Sequence, residues 1–273
     1  MNKTLYTSKF SLGKWCFLFI GGSILFTIVY ALATIPEHSI GNNWISGTLS
    51  LICGVLLLLM YRWLVRSYEE RKIEELSMQK SLKDTGIGFL WGMLMMAAVI
   101  GIFALCGWYK IIGCSFNVAF VYRYLMAYFV VAVGEEIVFR GIMFRLFDSQ
   151  FNLWVALIFS SFLFGAAHII NPNATVVSTV GISLASGVLF GLLFKYYRTL
   201  WVPIGIHWSW NFVQGTVAGC PVSGGAPDYS ILESFTSGPE LFTGGLFGPE
   251  ASVITMAIGF VMCVWIGIKL FKR

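Results

Sequence analysis

Apolar residues in this chain arrive in long blocks, separated by short stretches that hold nearly all of its charge. Eight blocks are legible, at roughly 15–35, 44–65, 86–108, 120–143, 153–170, 176–194, 200–219 and 251–270. Blocks of about 20 residues cross a hydrocarbon core of about 30 Å when they rise about 1.5 Å per residue. Backbone groups in lipid must satisfy one another within the protein, and the short alternating segments of a barrel are absent, so the spans must be helices. The expected fold is all-α, a polytopic transmembrane bundle of about eight membrane-spanning helices. Ala31-Leu32-Ala33 resembles a signal-peptide cleavage site. The apolar stretch before it is longer than the usual 7–15 residues or so, and we read it as a span.

Composition supports the same picture. Hydrophobic residues make up 58% of the 273 and charged residues 11%, against about 25% charged in soluble domains. The formal charge of +5 forms no basic stripe, which argues against a nucleic-acid partner and leaves the lipid bilayer as the principal one. Basic residues cluster at alternate connections: Lys3, Lys9 and Lys14, then Arg66, Arg71, Lys72, Lys80 and Lys83, then Arg140 and Arg145, then Lys195 and Arg198, and finally Lys269, Lys272 and Arg273. That pattern places both termini in the cytoplasm of a bacterial plasma membrane. Segment 67–84 sets Glu69, Glu70, Glu74 and Glu75 opposite Arg71, Lys72 and Lys80, and reads as a short, solvent-exposed cytoplasmic helix. Segment 220–250 is rich in Gly, Pro and Ser, has four acids and no base, and reads as a flexible external loop. The chain divides into N-terminal helices with a charged loop (1–119, the loop at 66–85), a polar-motif core (120–219), and the external loop with the last helix (220–273). The six cysteines lack C-x-x-C spacing. A bridge between Cys114 and Cys220, both on the external side, is open.

Few strongly polar side chains remain inside the blocks. They are Glu135 and Glu136, His168, His207, Asn211 and, near a span end, Arg140. A charge at a helix centre costs at least about 2.5–3.5 kcal/mol on insertion scales, and no packing need explains two adjacent carboxylates. Glu136 and Arg140 are four apart, so they share a helix face and can pair. Glu135 is rotated by about 100° and is left for another task. His207 and Asn211 also share a face, and His168 precedes the helix-ending Asn171-Pro172-Asn173. Taken singly, each has a bland reading as a salt bridge or interhelical hydrogen bond; together they suit activation of a water. A carboxylate with a neutral imidazole can take a proton from water, and a second imidazole with a carboxamide can donate to an oxyanion. Alternatively Glu135, His168 and His207 could hold zinc, although no H-E-x-x-H motif is present. Zinc and a metal-free site are equally open at this point. Counting residues inward suggests a site open to the cytoplasmic half of the membrane.

Glu135-Glu136-Ile137-Val138-Phe139-Arg140 has the form E-E-x-x-x-R, Phe164-Gly165-Ala166-Ala167-His168 the form F-x-x-x-H, and His207-Trp208-Ser209-Trp210-Asn211 the form H-x-x-x-N. In this order they resemble the CAAX-protease and bacteriocin-processing (Abi) family, relatives of the type II CAAX prenyl endopeptidase. The resemblance covers about residues 120–215. It implies a membrane-embedded endopeptidase acting on a membrane-associated protein or peptide, with Glu135 and His168 activating water, His207 and Asn211 at the oxyanion, and Glu136 and Arg140 in support. The family has been described both as metalloprotease and as glutamate protease. Two other classes fit the same residues: a non-catalytic immunity or scaffold protein of the same fold, and a transporter relaying protons through buried Glu and His. No internal repeat supports the transporter.

Overall fold

The computed structural model describes residues 10–35 and 39–272; of the basic residues that set the expected orientation, Lys3, Lys9 and Arg273 fall outside these. The chain forms α1 (Leu12–Ala33), α2 (Asn43–Glu69) and α3 (Met78–Leu105), then strand β1 (Tyr109–Cys114). Next comes α4 (Val118–Glu136), which continues through π-helical turns at Ile137–Phe144 into α5 (Arg145–Gln150). The helices α6 (Leu153–Ile170), α7 (Val176–Tyr197) and α8 (Trp201–Phe212) follow. Strand β2 (Leu232–Thr236), the short α9 (Glu240–Thr243) and α10 (Val253–Phe271) complete the order. Among the described residues, α1, α2, α3, α6, α7 and α10 are long and apolar enough to cross a membrane. That makes six where eight were expected. The other two expected spans are α4 and α8, the helices that carry Glu135, Glu136, His207 and Asn211.

Helix starts are set by side-chain caps. Asn42, Asn117 and Asn152 each accept a hydrogen bond from the first backbone N–H groups of α2, α4 and α6, donors that have no partner within the helix. The end of α6 is fixed by Asn171-Pro172. Proline disfavours helical backbone in the residue before it, and Asn171 lies at ψ 154 after a tight 3-10 turn at His168–Ile170. His168 is thereby held at the very end of its helix.

Close approach through glycine brings the polar helices to their neighbours. A Cβ on Gly88 of α3 would lie 2.2 Å from the Val202 carbonyl oxygen, one on Gly92 2.3 Å from that of Ile206, and one on Gly205 of α8 2.4 Å from that of Thr85. This small-x-x-x-small contact presses α3 and α8 together backbone to backbone. Gly47 and Gly54 of α2 likewise receive the rings of Tyr122 and Phe129 from α4.

Two expectations are corrected. Segment 67–84 is not an exposed helix. Helix α2 runs to Glu69, Glu70 turns with φ 56, and regular helix resumes at Met78. Glu70 and Glu74 are exposed, but Glu69 and Glu75 are buried, because partners arrive for them. Arg145 donates through Nη1 to Glu69 Oε2 at 2.6 Å and through Nη2 to Oε1, and Arg71 Nε donates to Glu69 at 2.8 Å. Glu75, with no exposure, accepts from Arg71 at 2.9 and 2.5 Å and from the Tyr61 hydroxyl at 2.7 Å. Burial works against the Glu75 charge, yet these donors hold its carboxyl below the ordinary range.

Segment 220–250 is likewise not a free loop. Its β2 pairs antiparallel with β1, Tyr109 opposite Thr236 and Cys114 opposite Leu232, which also adds a two-stranded sheet to an otherwise helical fold. Cys114 and Cys220 are both free: Cys114 is exposed at the sheet end, while Cys220 is buried beside Thr236 and Ala218.

Replacing Gly88 by alanine should overpack the α3–α8 contact and cost about 1–3 kcal/mol. The same change at Gly86, whose Cβ would meet nothing within 4 Å, should be neutral. Thermal unfolding in detergent checks the pair.

Candidate active site

The glycine before the two carboxylates sets their surroundings. A Cβ on Gly134 would fall 2.3 Å from the Tyr30 ring, so α1 can lie against α4 at this level, and the Tyr30 hydroxyl donates to Glu135 Oε1 at 3.3 Å. The other oxygen, Glu135 Oε2, is buried without a hydrogen-bond partner. It lies 4.0 Å from His168 Nε2 and 3.9 Å from His207 Nε2.

Glu136, one residue on, faces the protein interior and has no exposure. Its Oε1 accepts from Arg140 Nη1 at 2.8 Å and meets His207 Nδ1 at 3.0 Å. Arg140 is buried as well. Its Nη2 donates to the carbonyls of Ser186 and Gly187 in α7 at 3.3 and 3.2 Å, and its guanidinium carbon lies 4.4 Å from the Phe164 ring centre and 5.0 Å from that of Phe190. The pair therefore ties α4 to α7 and α8, with aromatic faces covering the cation.

Both imidazoles are oriented through Nδ1. His168 Nδ1 is 2.8 Å from the Phe164 carbonyl oxygen, and a carbonyl only accepts, so this nitrogen carries hydrogen. The Glu136 carboxylate imposes the same on His207 Nδ1. In the neutral rings both Nε2 atoms are then lone pairs, and both lie beside Glu135 Oε2. Asn211, one turn beyond His207, lines the same cavity. All six residues expected from the sequence thus come together, with Glu135, His168, His207 and Asn211 at the cavity and Glu136 and Arg140 behind it.

The cavity holds about 880 Å³. Its walls are largely apolar, with Tyr30, Tyr124, Tyr128, Phe139 and Leu163, and residues 222–228 form one side. Segment 222–228 follows the far end of α8, whose near end is tied to the basic loop by Leu200 N–H to the Glu75 carbonyl and Trp201 Nε1 to that of Ser77. Residues 222–228 thus line the cavity from the end of the bundle opposite Arg71, Arg145 and Lys195.

A family model described as "Type II CAAX prenyl endopeptidase Rce1-like" matches residues 116–213, a stretch that holds all three motifs. Over this stretch the chain is similar to the Rce1-like family. No curated protein matches the chain.

Three residues near the Rce1-like core escaped the sequence reading. Tyr30 gives no signal beyond an aromatic residue in an apolar block. Glu250 stands immediately before the last block and was counted with the loop. In the structure it is buried, and lines a small cavity together with His168, His207, Asn211 and Ser223. Burial pushes the Glu250 carboxyl up, while nearby His168 and the Ser223 N–H pull the other way. Gln214, in the π-helical turn Val213–Val217 beyond α8, is also buried and donates to Glu250 Oε2 at 3.3 Å.

Zinc can be tested against these distances. Among the described residues no group of three His, Cys, Asp or Glu side chains is placed to hold a metal ion. A tetrahedral zinc about 2.0–2.1 Å from each ligand keeps its ligand atoms about 3.3 Å apart, whereas Glu135 Oε2 stands 3.9 and 4.0 Å from the two imidazole nitrogens. As it stands the trio does not fit zinc.

Arg140→Met should destabilise the protein by about 3–5 kcal/mol, because it leaves the Glu136 charge buried and unpaired. Adding Glu136→Gln to that variant should recover a large part of the loss. Denaturation of both variants in detergent checks the coupling.

Proposed function

We propose that this chain is a membrane endopeptidase that hydrolyses a peptide bond in a membrane-associated protein or peptide through a water activated at Glu135. The Rce1-like core supports activity of the protease kind. The observation that carries the reading further is the unpartnered Glu135 Oε2, placed almost equally far from two imidazole Nε2 atoms. Separations near 4 Å suit a water that hydrogen-bonds to both a carboxylate and an imidazole, at about 2.7–3.0 Å each.

The chemistry follows from the protonation each neighbour imposes. Glu135 takes the proton as the water attacks the carbonyl carbon, then returns it to the leaving amine. His168, with Nε2 as acceptor, orients the water. His207 can donate to the oxyanion from Nε2 only as the imidazolium, since Nδ1 already carries hydrogen toward Glu136, and the Glu136 carboxylate is placed to support that charge. The Asn211 carboxamide is the second donor. Arg140 holds Glu136 in place.

We read the basic loops as cytoplasmic and residues 222–228 as the mouth of the cavity, which then faces the far side of the membrane. The substrate is then a peptide bond presented from outside or from the outer leaflet, and cleavage does not depend on a cytoplasmic prenylated cysteine. In intact cells an Ala226→Cys protein, with the exposed Cys106 and Cys114 replaced by serine, should react with a membrane-impermeant maleimide. Labelling only after permeabilisation would reverse the orientation.

Glu135→Gln should leave folding intact and lower cleavage by at least about 100-fold. Purified wild type and variant, assayed on quenched peptides with and without a C-terminal prenyl group, provide the measurement. Equal rates for the two would rule out Glu135 as the base, and cleavage by neither would favour a non-catalytic immunity or scaffold role for the same fold.

A further inference from the structure

Segment 221–225 forms a tight strap along the wall of the cavity, and every attachment it makes lies outside the three motifs. Val222 and Gly225 pair across a turn. Gly224 donates its N–H to the Phe247 carbonyl and accepts from Asn173 Nδ2 at 3.1 Å. Asn173 follows His168 by five residues in sequence. Gly224 also packs so tightly on the Pro172 carbonyl that a Cβ would fall 1.7 Å from its oxygen. Between these contacts Ser223 adopts φ 48, a left-handed conformation that residues other than glycine seldom take without support.

The support is Glu250. Its Oε1 accepts from the Ser223 N–H at 2.5 Å and its Oε2 from Gln214 Nε2 at 3.3 Å. Gln214 in turn donates to the Pro221 carbonyl at 2.6 Å and accepts from Trp210 Nε1 at 3.0 Å. Trp210 is one residue before Asn211. A chain of hydrogen bonds thus runs from the helix of His207 and Asn211 through one buried carboxylate to the backbone of the strap.

We infer that Glu250 is a positioning residue: it pins Ser223, and with it residues 222–228, as the wall against which substrate is held beside Glu135. The inference rests on the protease reading for its effect on substrate. Its effect on the strap is independent of that reading. A buried carboxylate with both oxygens bonded to one strap and one helix turn has few substitutes, because alanine leaves the Ser223 and Gln214 donors without acceptors. Glutamine retains one oxygen for Ser223 but sets its amide against the Gln214 amide, donor against donor.

The test compares wild type, Glu250→Ala and Glu250→Gln by hydrogen–deuterium exchange and by peptide cleavage. In Glu250→Ala, exchange of residues 220–226 should rise at least about tenfold while Trp201–Phe212 stays protected. KM should rise about tenfold or more with kcat changed less, and Glu250→Gln should recover most of both. Where alanine costs the fold, Glu250→Asp, one methylene too short to reach both donors, replaces it. Unchanged strap exchange in the shortened variant would overturn the inference, as would a loss of kcat at constant KM. Should wild type cleave no peptide while the strap still loosens, the pinning stands and the protease reading falls.

Discussion

Glu136 is a carboxylic side chain with no exposure, and the structure around the site is arranged to make its burial tolerable. A lone buried carboxylate would neutralise or unfold the helix that carries it. Here Arg140 supplies the counter-charge one turn away, and His207 binds the same oxygen from another helix. The cation is itself buried, and is met by two carbonyls of α7 and two phenylalanine rings. Packing of α4, α7 and α8 is therefore inseparable from the electrostatics of one ion pair. Phe164 serves twice, covering Arg140 with its ring and orienting His168 with its carbonyl.

That arrangement lets two adjacent glutamates do different work. Successive helical residues diverge by about 100°, so Glu136 turns into the protein while Glu135 turns to the cavity. His207 lies between them, with Nδ1 against Glu136 and Nε2 toward Glu135. One carboxylate orients the imidazole through Nδ1, and the other faces its Nε2. Exchanging the two roles would require rotating α4. The π-helical turns that begin at Ile137 follow the pair directly, as such turns often do at functional sites.

Much of this was legible in the chain. Hydrophobic blocks gave the helices because lipid permits little else, and spacings of four placed Glu136 with Arg140 and His207 with Asn211 on shared faces. Local pattern failed where partners come from afar. Glu69 and Glu75 look like solvated charges until Arg145, 76 residues from Glu69, and Tyr61 are brought to them. A run of mixed charge reads the same whether its partners are water or buried arginine. Nothing local marks Tyr109–Cys114 as a strand, because its pairing partner lies beyond residue 230.

Matching only 116–213 to the Rce1-like family separates two layers of the site. Every group that takes or gives a proton in the proposed reaction lies inside that stretch. Much of what lines the cavity does not: Tyr30 comes from α1, residues 222–228 from beyond α8, and Glu250, which anchors the strap, from just before α10. Chemistry that needs fixed protonation is built on packed helices, where side-chain positions are over-determined. Recognition is built partly on connecting segments, which tolerate changes in sequence and length. A chain of this architecture can keep its reaction and change its substrate by altering the strap alone, provided a buried carboxylate still holds the strap in place.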